Sequence, residues 1–509
     1  MNYTALFHAT LPETALELAA LLVLVVDLGL LRRAAAHTRI AAAALLGIAG
    51  CAASLWAVYA AGWSGFSSGS DLLLAAGGTA AVAQISILVL TALTLLLLVD
   101  SAFTRHPGEY VSVVLMAAAG GLIVAAAQDL LVIFVGLELL SLGLYILTAF
   151  AKKSGQSAEA AIKYYLFGGM SAAFLLFGFS YLYGLSGSTS LQQIAQYAFF
   201  QSLLGGRALL AVALVMVAVG LGFKVAAVPF HLWAPDAYEG APAPAAAFIA
   251  SVSKVASFAL LVSIVSAAIH ISGTYAIGQF TVNVPEMAAR HFGMGGFWWL
   301  LLALLAAASM VFGNLAALAQ VSVRRLLAYS AIAHAGYVLL GLAFCSSTSA
   351  SAQAILYYIV TYGLTTIAAF GVVGVVERAT GSDQLSSFLG LHKRAPILAV
   401  VLLVLFLSLA GIPPLVGFWA KFNLFAAVLA VGAGSSAFAL VALAIAMSAV
   451  SLYYYLQVLK RAYVMPAIDE TPISVHPVTL CTLVLIAAAV LVLGCFPALL
   501  QGWIASFYL

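Results

Sequence analysis

Four lysines stand where a membrane-embedded chain should carry none. Lys163 lies in AAIKYYLFGG, Lys224 in GLGFKVAAVPFHLW, Lys254 in SVSKVASFALL and Lys421 in GIPPLVGFWAKF, each inside an apolar stretch. A charge near a bilayer centre costs at least a few kcal/mol, so it marks a pathway or a partner. Glu138, in VGLELLSLGLYILTAF, is nine residues after Asp129 and fourteen before Lys152, which puts it near mid-membrane. His334, in LAYSAIAHAGYVLL, lies ten residues beyond Arg324 and is also deep. His231 follows Lys224 and Pro229 closely. Such groups can handle protons. Desolvation disfavours an ammonium and a nearby carboxylate favours it, so a changing Glu138–Lys224 separation would switch the lysine between holding and releasing a proton. Histidine relays protons near neutral pH, and chains of these groups are what pumps use. Blander readings stand beside this one. Lys163, near a span end, could snorkel to the surface; His231 could cap a helix end; His334 could be a satisfied core histidine; Glu138 and the lysines could form structural ion pairs. Asp27 and Asp100, at span ends, read as solvated.

The membrane setting follows from composition. Of 509 residues, 65% are hydrophobic and 7% charged, against about 25% charged in soluble domains. Mean hydropathy is +1.17. Apolar runs of about 20 residues, the length a helix needs to cross hydrocarbon, recur throughout. The expected fold is an all-α polytopic membrane protein; a β-barrel would show short alternating segments instead. Fourteen spans are predicted, near 11–31, 41–62, 81–103, 110–127, 130–150, 158–184, 206–230, 241–269, 296–319, 326–346, 351–376, 395–430, 436–459 and 477–500. Of nineteen Lys and Arg residues, thirteen fall in odd-numbered connections, two (Arg207 and Arg290) in even-numbered ones and four within spans. By the positive-inside rule the odd connections are cytoplasmic and both termini face the other side. The N-terminus MNYTALFHATLPETALELAA lacks a basic n-region and carries Glu13 and Glu17, so it reads as part of a retained span. The scattered Cys51, Cys345, Cys481 and Cys495 argue against an iron–sulfur cluster, a zinc site or a disulfide framework. No P-loop or dinucleotide fingerprint is visible. No cofactor and no metal are expected on this chain, and no nucleic-acid partner.

An internal echo organises the spans. AAIKYYLFGGMSAAFLLFG (160–178) parallels QAILYYIVTYGLTTIAAFG (353–371), in the sixth and eleventh spans. A five-helix unit repeated in tandem inserts its second copy upside down, the arrangement of many transporters. The expected organisation is 1–109 (helices 1–3), 110–270 (first repeat, helices 4–8), 296–461 (inverted second repeat, helices 9–13) and 477–509 (helix 14). Spans 7 and 12 then correspond. Span 7 carries Pro229 close to Lys224; span 12, too long for one straight crossing, carries Pro413, Pro414 and Gly417 before Lys421. Proline removes a backbone donor and clashes with the preceding turn. In a membrane such a break survives only where protein or a water-filled cavity satisfies the freed groups. Two interrupted helices at matching positions point to a site for a charged species.

These stretches, with AEAAIKYYLFGG and SVRRLLAYSAIAHAGY, resemble in order the antiporter-like membrane subunits of respiratory complex I, the NADH–quinone oxidoreductase. The resemblance covers nearly the whole chain and is strongest to the N type. It implies fourteen helices, inverted repeats, broken helices 7 and 12, and a central polar axis that translocates protons as part of an oxidoreductase, coupled to quinone reduction elsewhere. Glu138 would pair with Lys224, Lys254 and His334 would link the halves, and Lys421 would end the second half-channel. A lysine at that last position suits the N or L type, and the short stretch beyond span 14 suits N. His231, Lys163, Pro229, Pro413, Pro414 and Gly417 would have supporting roles. NADH, FMN, iron–sulfur clusters and quinone would sit on partner subunits; the membrane-arm partners would include the M type and small membrane subunits. The Ala- and Gly-rich composition suggests a bacterial plasma (cell inner) membrane. Two other readings stay open: a component of a multisubunit cation/proton antiporter without redox chemistry, and a membrane arm of a hydrogenase-type complex. The neighbouring subunits would decide.

Overall fold

The computed structural model describes residues 7, 9–63, 73–75, 77–101, 103–204, 207–269, 273–277, 280–284, 294–345, 349–431, 434–467 and 470–508. Arg290 and the first six residues of the N-terminal stretch lie outside these. We number helices by membrane pass. The first half of the chain gives α1 (Leu11–Val25, prolonged by a π turn, Val26–Leu30), α2 (Ala36–Trp63), α3 (Gly78–Leu98), α4 (Pro107–Ala126), α5 (Leu130–Thr148), α6 (Gly155–Ser186), α7 in two halves (Arg207–Val225 and Trp233–Gly240) and α8 (Ala243–Ile269). The second gives α9 (Met294–Leu318), α10 (Val323–Ala343), α11 (Ser349–Thr380), α12 in two halves (Pro396–Ala410 and Val416–Ala430), α13 (Gly434–Tyr463) and α14 (Pro477–Cys495). Among the described residues, twelve helices are long and apolar enough to cross a membrane alone, whereas the α12 halves are shorter apolar helices of 15 residues each. Caps set several starts: Asp129, Ser154 and Ser322 accept backbone N–H groups in the first turns of α5, α6 and α10.

Three features depart from the sequence reading. Helix Leu191–Leu204 forms outside the predicted spans, and helix Pro497–Ser506 starts within the last of them and runs past its end. A hairpin of β1 (Gly273–Ile277) and β2 (Phe280–Val284) follows α8, with Gly273 opposite Val284, between two predicted spans of an otherwise helical membrane chain. Asp27 is not solvated. It is 2% exposed in the π turn, held by Arg39 of α2 at 2.7 Å through both carboxylate oxygens and by the Gly108 N–H of α4 at 3.2 Å. Asp100, by contrast, stays at the surface, where it pairs with Arg378 at 2.5 Å.

The same packing recurs in the two halves. In α4 and α5, a Cβ on Gly120 would meet the Leu140 N and Gly136 O, and one on Gly143 would meet Ala117. In α9 and α10, Gly313 meets Ala333 and Tyr329 in the same way, and Gly336 meets Met310. Glycine is required at these contacts because the helix backbones touch there. The chain entering α5 also bridges the segment after α6, Asp129 to Ser190, as the chain entering α10 bridges the segment after α11, Ser322 to Gln384. At the centre α8 packs on α11, and α8 is buried almost all round, as a helix apolar on every face must be.

Candidate functional site

The first break is built at the end of the first half of α7. That half stops at Val225, and Ala226 turns into the left-handed region at φ 58°. The last carbonyls of a helix have no partner within it and carry the negative end of its dipole. Here Lys254 of α8, 2% exposed, donates to the Val225 carbonyl at 2.5 Å. The segment joining the halves is tied down by Val228 N–H to Ser309 Oγ at 2.9 Å and Trp233 Nε1 to the Phe223 carbonyl at 2.9 Å. Lys224, in the last turn of the first half, points instead to α5. Its Nζ donates to Ser141 Oγ at 2.5 Å and lies 3.9 Å from Glu138 Oε1. His231 sits in the joining segment with its ring edge-on to Phe312 at 4.7 Å, and Pro229 lies just before it.

The second break follows the same physical rule with different parts. Gly411, at φ 88°, ends the first half of α12. Its N–H and that of Ile412 both reach the Leu407 carbonyl, at 3.1 and 3.0 Å. Pro413 and Pro414 make the turn. Lys421, in the second half, folds back to donate to the freed Leu409 and Ala410 carbonyls at 3.1 and 2.9 Å and to Ser448 Oγ at 2.8 Å. Its ammonium also lies 5.5 Å from the Tyr337 ring centre, a cation–π contact. Gly417 lets the halves close up: a Cβ there would fall 1.8 Å from the Ser408 carbonyl oxygen, and its N–H donates to Ser408 Oγ at 3.2 Å.

His334 lies between the breaks. Its Nδ1 shares a 2.7 Å hydrogen bond with Tyr358 Oη, its Nε2 faces Tyr455 Oη at 3.5 Å, and its ring packs on Tyr362 at 4.8 Å. It is within electrostatic reach of both Lys254 and Lys421. The structure therefore brings Glu138 to Lys224, sets Lys254 and Lys421 on the two breaks, and leaves His334 among tyrosines, close enough to both lysines to feel their charge. Lys163 is elsewhere. Its side chain is 42% exposed and bridges Glu159 at 2.7 Å and Asp236 at 2.9 Å. Asp236 also binds Arg325 at 2.8 Å, Arg325 binds Glu239 at 2.9 Å, and Arg324 pairs with Glu377. Burial pushes the Asp236 carboxyl up, but Lys163 and Arg325 outweigh it and hold it below its ordinary range.

Sequence reasoning missed Ser141, Ser448, Tyr358 and Tyr455, and the carbonyls that hold the lysines. Ser141 carried a signal: the register that lays Tyr164 on Tyr357 lays Ser141 on His334. Ser448 carried none. Among the described residues, no group of three His, Cys, Asp or Glu could hold a metal ion.

The family described as NADH:quinone oxidoreductase/Mrp antiporter, TM, matches residues 127–287 and 265–448. The chain is 49% identical to NADH-quinone oxidoreductase subunit N 2 of Acidobacterium capsulatum, over 99% of each. It is 38% identical to NADH-quinone oxidoreductase subunit N 1 of Roseiflexus castenholzii, over 84% of this chain and 78% of that one. A chain of respiratory complex I from Thermus thermophilus with bound aureothin matches at TM-score 0.75 and 33% identity, over 96% of this chain and 98% of its own. A chain of the Mrp complex from Dietzia sp. DQ12-45-1b has the same fold at TM-score 0.77 and 20% identity, over 100% of this chain and 97% of its own.

Proposed function

Because the chain belongs to the NADH:quinone oxidoreductase/Mrp antiporter family and has subunit N relatives along its whole length, we propose that it is the N-type membrane subunit of a proton-translocating NADH–quinone oxidoreductase. Protons pass along Glu138, Lys224, Lys254, His334 and Lys421. One observation carries this reading: each broken helix presents freed carbonyls to a buried ammonium, Lys254 at the first break and Lys421 at the second. A buried ammonium is stable only while its acceptors stay in place. A small shift of either half-helix changes how firmly its lysine holds a proton. Glu138 acts on Lys224 in the same way, by distance. His334 accepts and returns protons between them.

The work comes from outside the chain. NADH, flavin, iron–sulfur clusters and quinone belong to partner subunits, and the neighbours in the membrane are other antiporter-like and small subunits. Residues 110–270 and 296–461 act as the two inverted units, flanked by 1–109 and 477–509. The basic connections face the cytoplasm of a bacterium, which leaves both termini on the periplasmic side of its inner membrane.

Affinity purification of the tagged chain in mild detergent tests the assignment. NADH:quinone reductase activity is expected in the eluate, with flavin and iron–sulfur subunits. A clean preparation holding other antiporter-like subunits but no redox partners would overturn it in favour of a cation/proton antiporter, and Na⁺/H⁺ exchange in vesicles would then be measured.

A further inference from the structure

A cavity of about 510 Å³ opens between the ends of α3, α8, α10 and α11, at the end of the molecule that carries the basic connections. Arg324 and Glu377 line it and pair with each other, and Gly371 and Gly374 of α11 form part of its wall. From Glu377 one stripe of α11 runs inward at helical spacing through Gly374, Phe370, Thr366, Tyr362 and Tyr358. The stripe is about 28 Å long at roughly 1.5 Å per residue, and Tyr358 ends it on His334. Between Gly374, which belongs to the cavity wall, and His334, every turn of the stripe but one presents a hydroxyl. The exception is Phe370, and there the second half of α7 supplies Tyr238, whose ring meets Phe370 edge-on at 5.6 Å.

Three buried polar atoms along this line lack a partner in full hydrogen-bonding geometry: Arg324 Nε, Tyr238 Oη and Thr366 Oγ1, the last with only the Tyr362 hydroxyl near it. Tyr238 and Thr366 are 0% and 2% exposed. Orphaned buried hydroxyls are destabilising, and ordered water is their usual partner. Beside His334 a further void of about 10 Å³, lined by Tyr362, Thr365 and Ser408, is close to the least space one water needs. Apolar side chains at Tyr238 and Thr366 would have packed at no such cost, so the hydroxyls ask for a reason.

Resting on the pathway proposed above, we infer that protons reach His334 from this cavity, through a water-bridged relay over Glu377, Tyr238, Thr366 and Tyr358. Each hydroxyl takes a proton from the water on its cavity side as it gives its own to the neighbour on its His334 side. Only O–H and N–H bonds change, and no co-reactant is needed.

The test uses the whole assembled complex in vesicles, with NADH-driven proton pumping and quinone reduction measured together. Thr366→Val and Tyr238→Phe remove the orphaned oxygens and little else. Each is expected to slow pumping by about a hundredfold, the lower end of what losing a positioned proton-transfer group does, while assembly is unchanged. Thr366→Ser is expected to keep the parent rate. A purely structural role predicts the opposite, because deleting an unpartnered buried hydroxyl does not harm the fold. Tyr238→Phe keeps the test alive if Thr366→Val fails to assemble. Parent-rate pumping in the hydroxyl variants, alongside a Lys254→Ala complex that no longer pumps, overturns the inlet alone. Normal pumping in Lys254→Ala overturns the pathway and the inlet with it.

Discussion

At the scale of single residues, each buried cation is defined by what receives its hydrogen bonds. Lys224 faces a hydroxyl and a carboxylate on α5, Lys254 a single carbonyl, and Lys421 two carbonyls and a hydroxyl. These are different tasks. In reconstituted complex, Lys224→Ala is expected to lower pumping and coupled quinone reduction by about tenfold or more, with assembly intact. Glu138→Gln keeps the side-chain volume and removes the charge, so it should resemble Lys224→Ala. Full activity in Glu138→Gln with loss in Glu138→Ala would make packing its role instead. Lys421 also has a structural duty. Lys421→Met leaves the Leu409 and Ala410 carbonyls without their donor, which costs about 1–3 kcal/mol for each orphaned group. Thermal denaturation of the purified complex should show earlier loss of this subunit; an unchanged transition would mean that other groups satisfy those carbonyls.

At the scale of elements, the two broken helices are the working parts of the proposed pathway, and their geometry is set by small residues and by lysines. Prolines stop the helices, but a stopped helix in a membrane needs acceptors and donors resupplied. Lys254 does this from a neighbouring helix at the first break, and Lys421 does it from the far half of the same helix at the second. Gly417 is the contact that permits the second. Gly417→Ala would drive a methyl into the Ser408 carbonyl, forcing the halves of α12 apart at a cost of about 1–3 kcal/mol or more. Expression should fall and the assembled fraction pump slowly. Normal assembly and pumping in Gly417→Ala would show that the halves can separate without penalty.

At the scale of the whole molecule, the two halves are locked at the end with the basic connections. Asp236 belongs to the first half and Arg325 to the second, and Lys163 joins them from α6. The Asp236 carboxyl is held below its ordinary value of 3.8. A depressed carboxylate adds stability that is present above its unfolded value and lost as pH falls through the folded one. The detergent-solubilised protein should therefore lose thermal stability as pH drops below about 3.8, and Asp236→Asn should be less stable at neutral pH but flatter in acid. A variant with the parent's acid response would assign that response to other carboxylates.

What the sequence determined by itself is what hydrophobicity, charge and periodicity can encode. Apolar runs gave the passes because lipid leaves a backbone no other choice than a helix. Basic residues gave their alternation, and Pro413, Pro414 and Pro229 gave the breaks. Glu138, Lys224, Lys254, His334 and Lys421 stood out because charge in an apolar run is rare. Partners were decided only by the tertiary structure, since a hydrogen-bond partner far along the chain leaves no local pattern. Asp27 looked solvated until α2 and α4 enclosed it, and Lys163 read equally as a snorkelling or a supporting residue until Asp236 and Glu159 gave it partners. The carbonyls of Val225, Leu409 and Ala410 belong to no side chain at all. Only the fold could offer them to a lysine, because a backbone acceptor becomes available where a helix stops and another element happens to reach it.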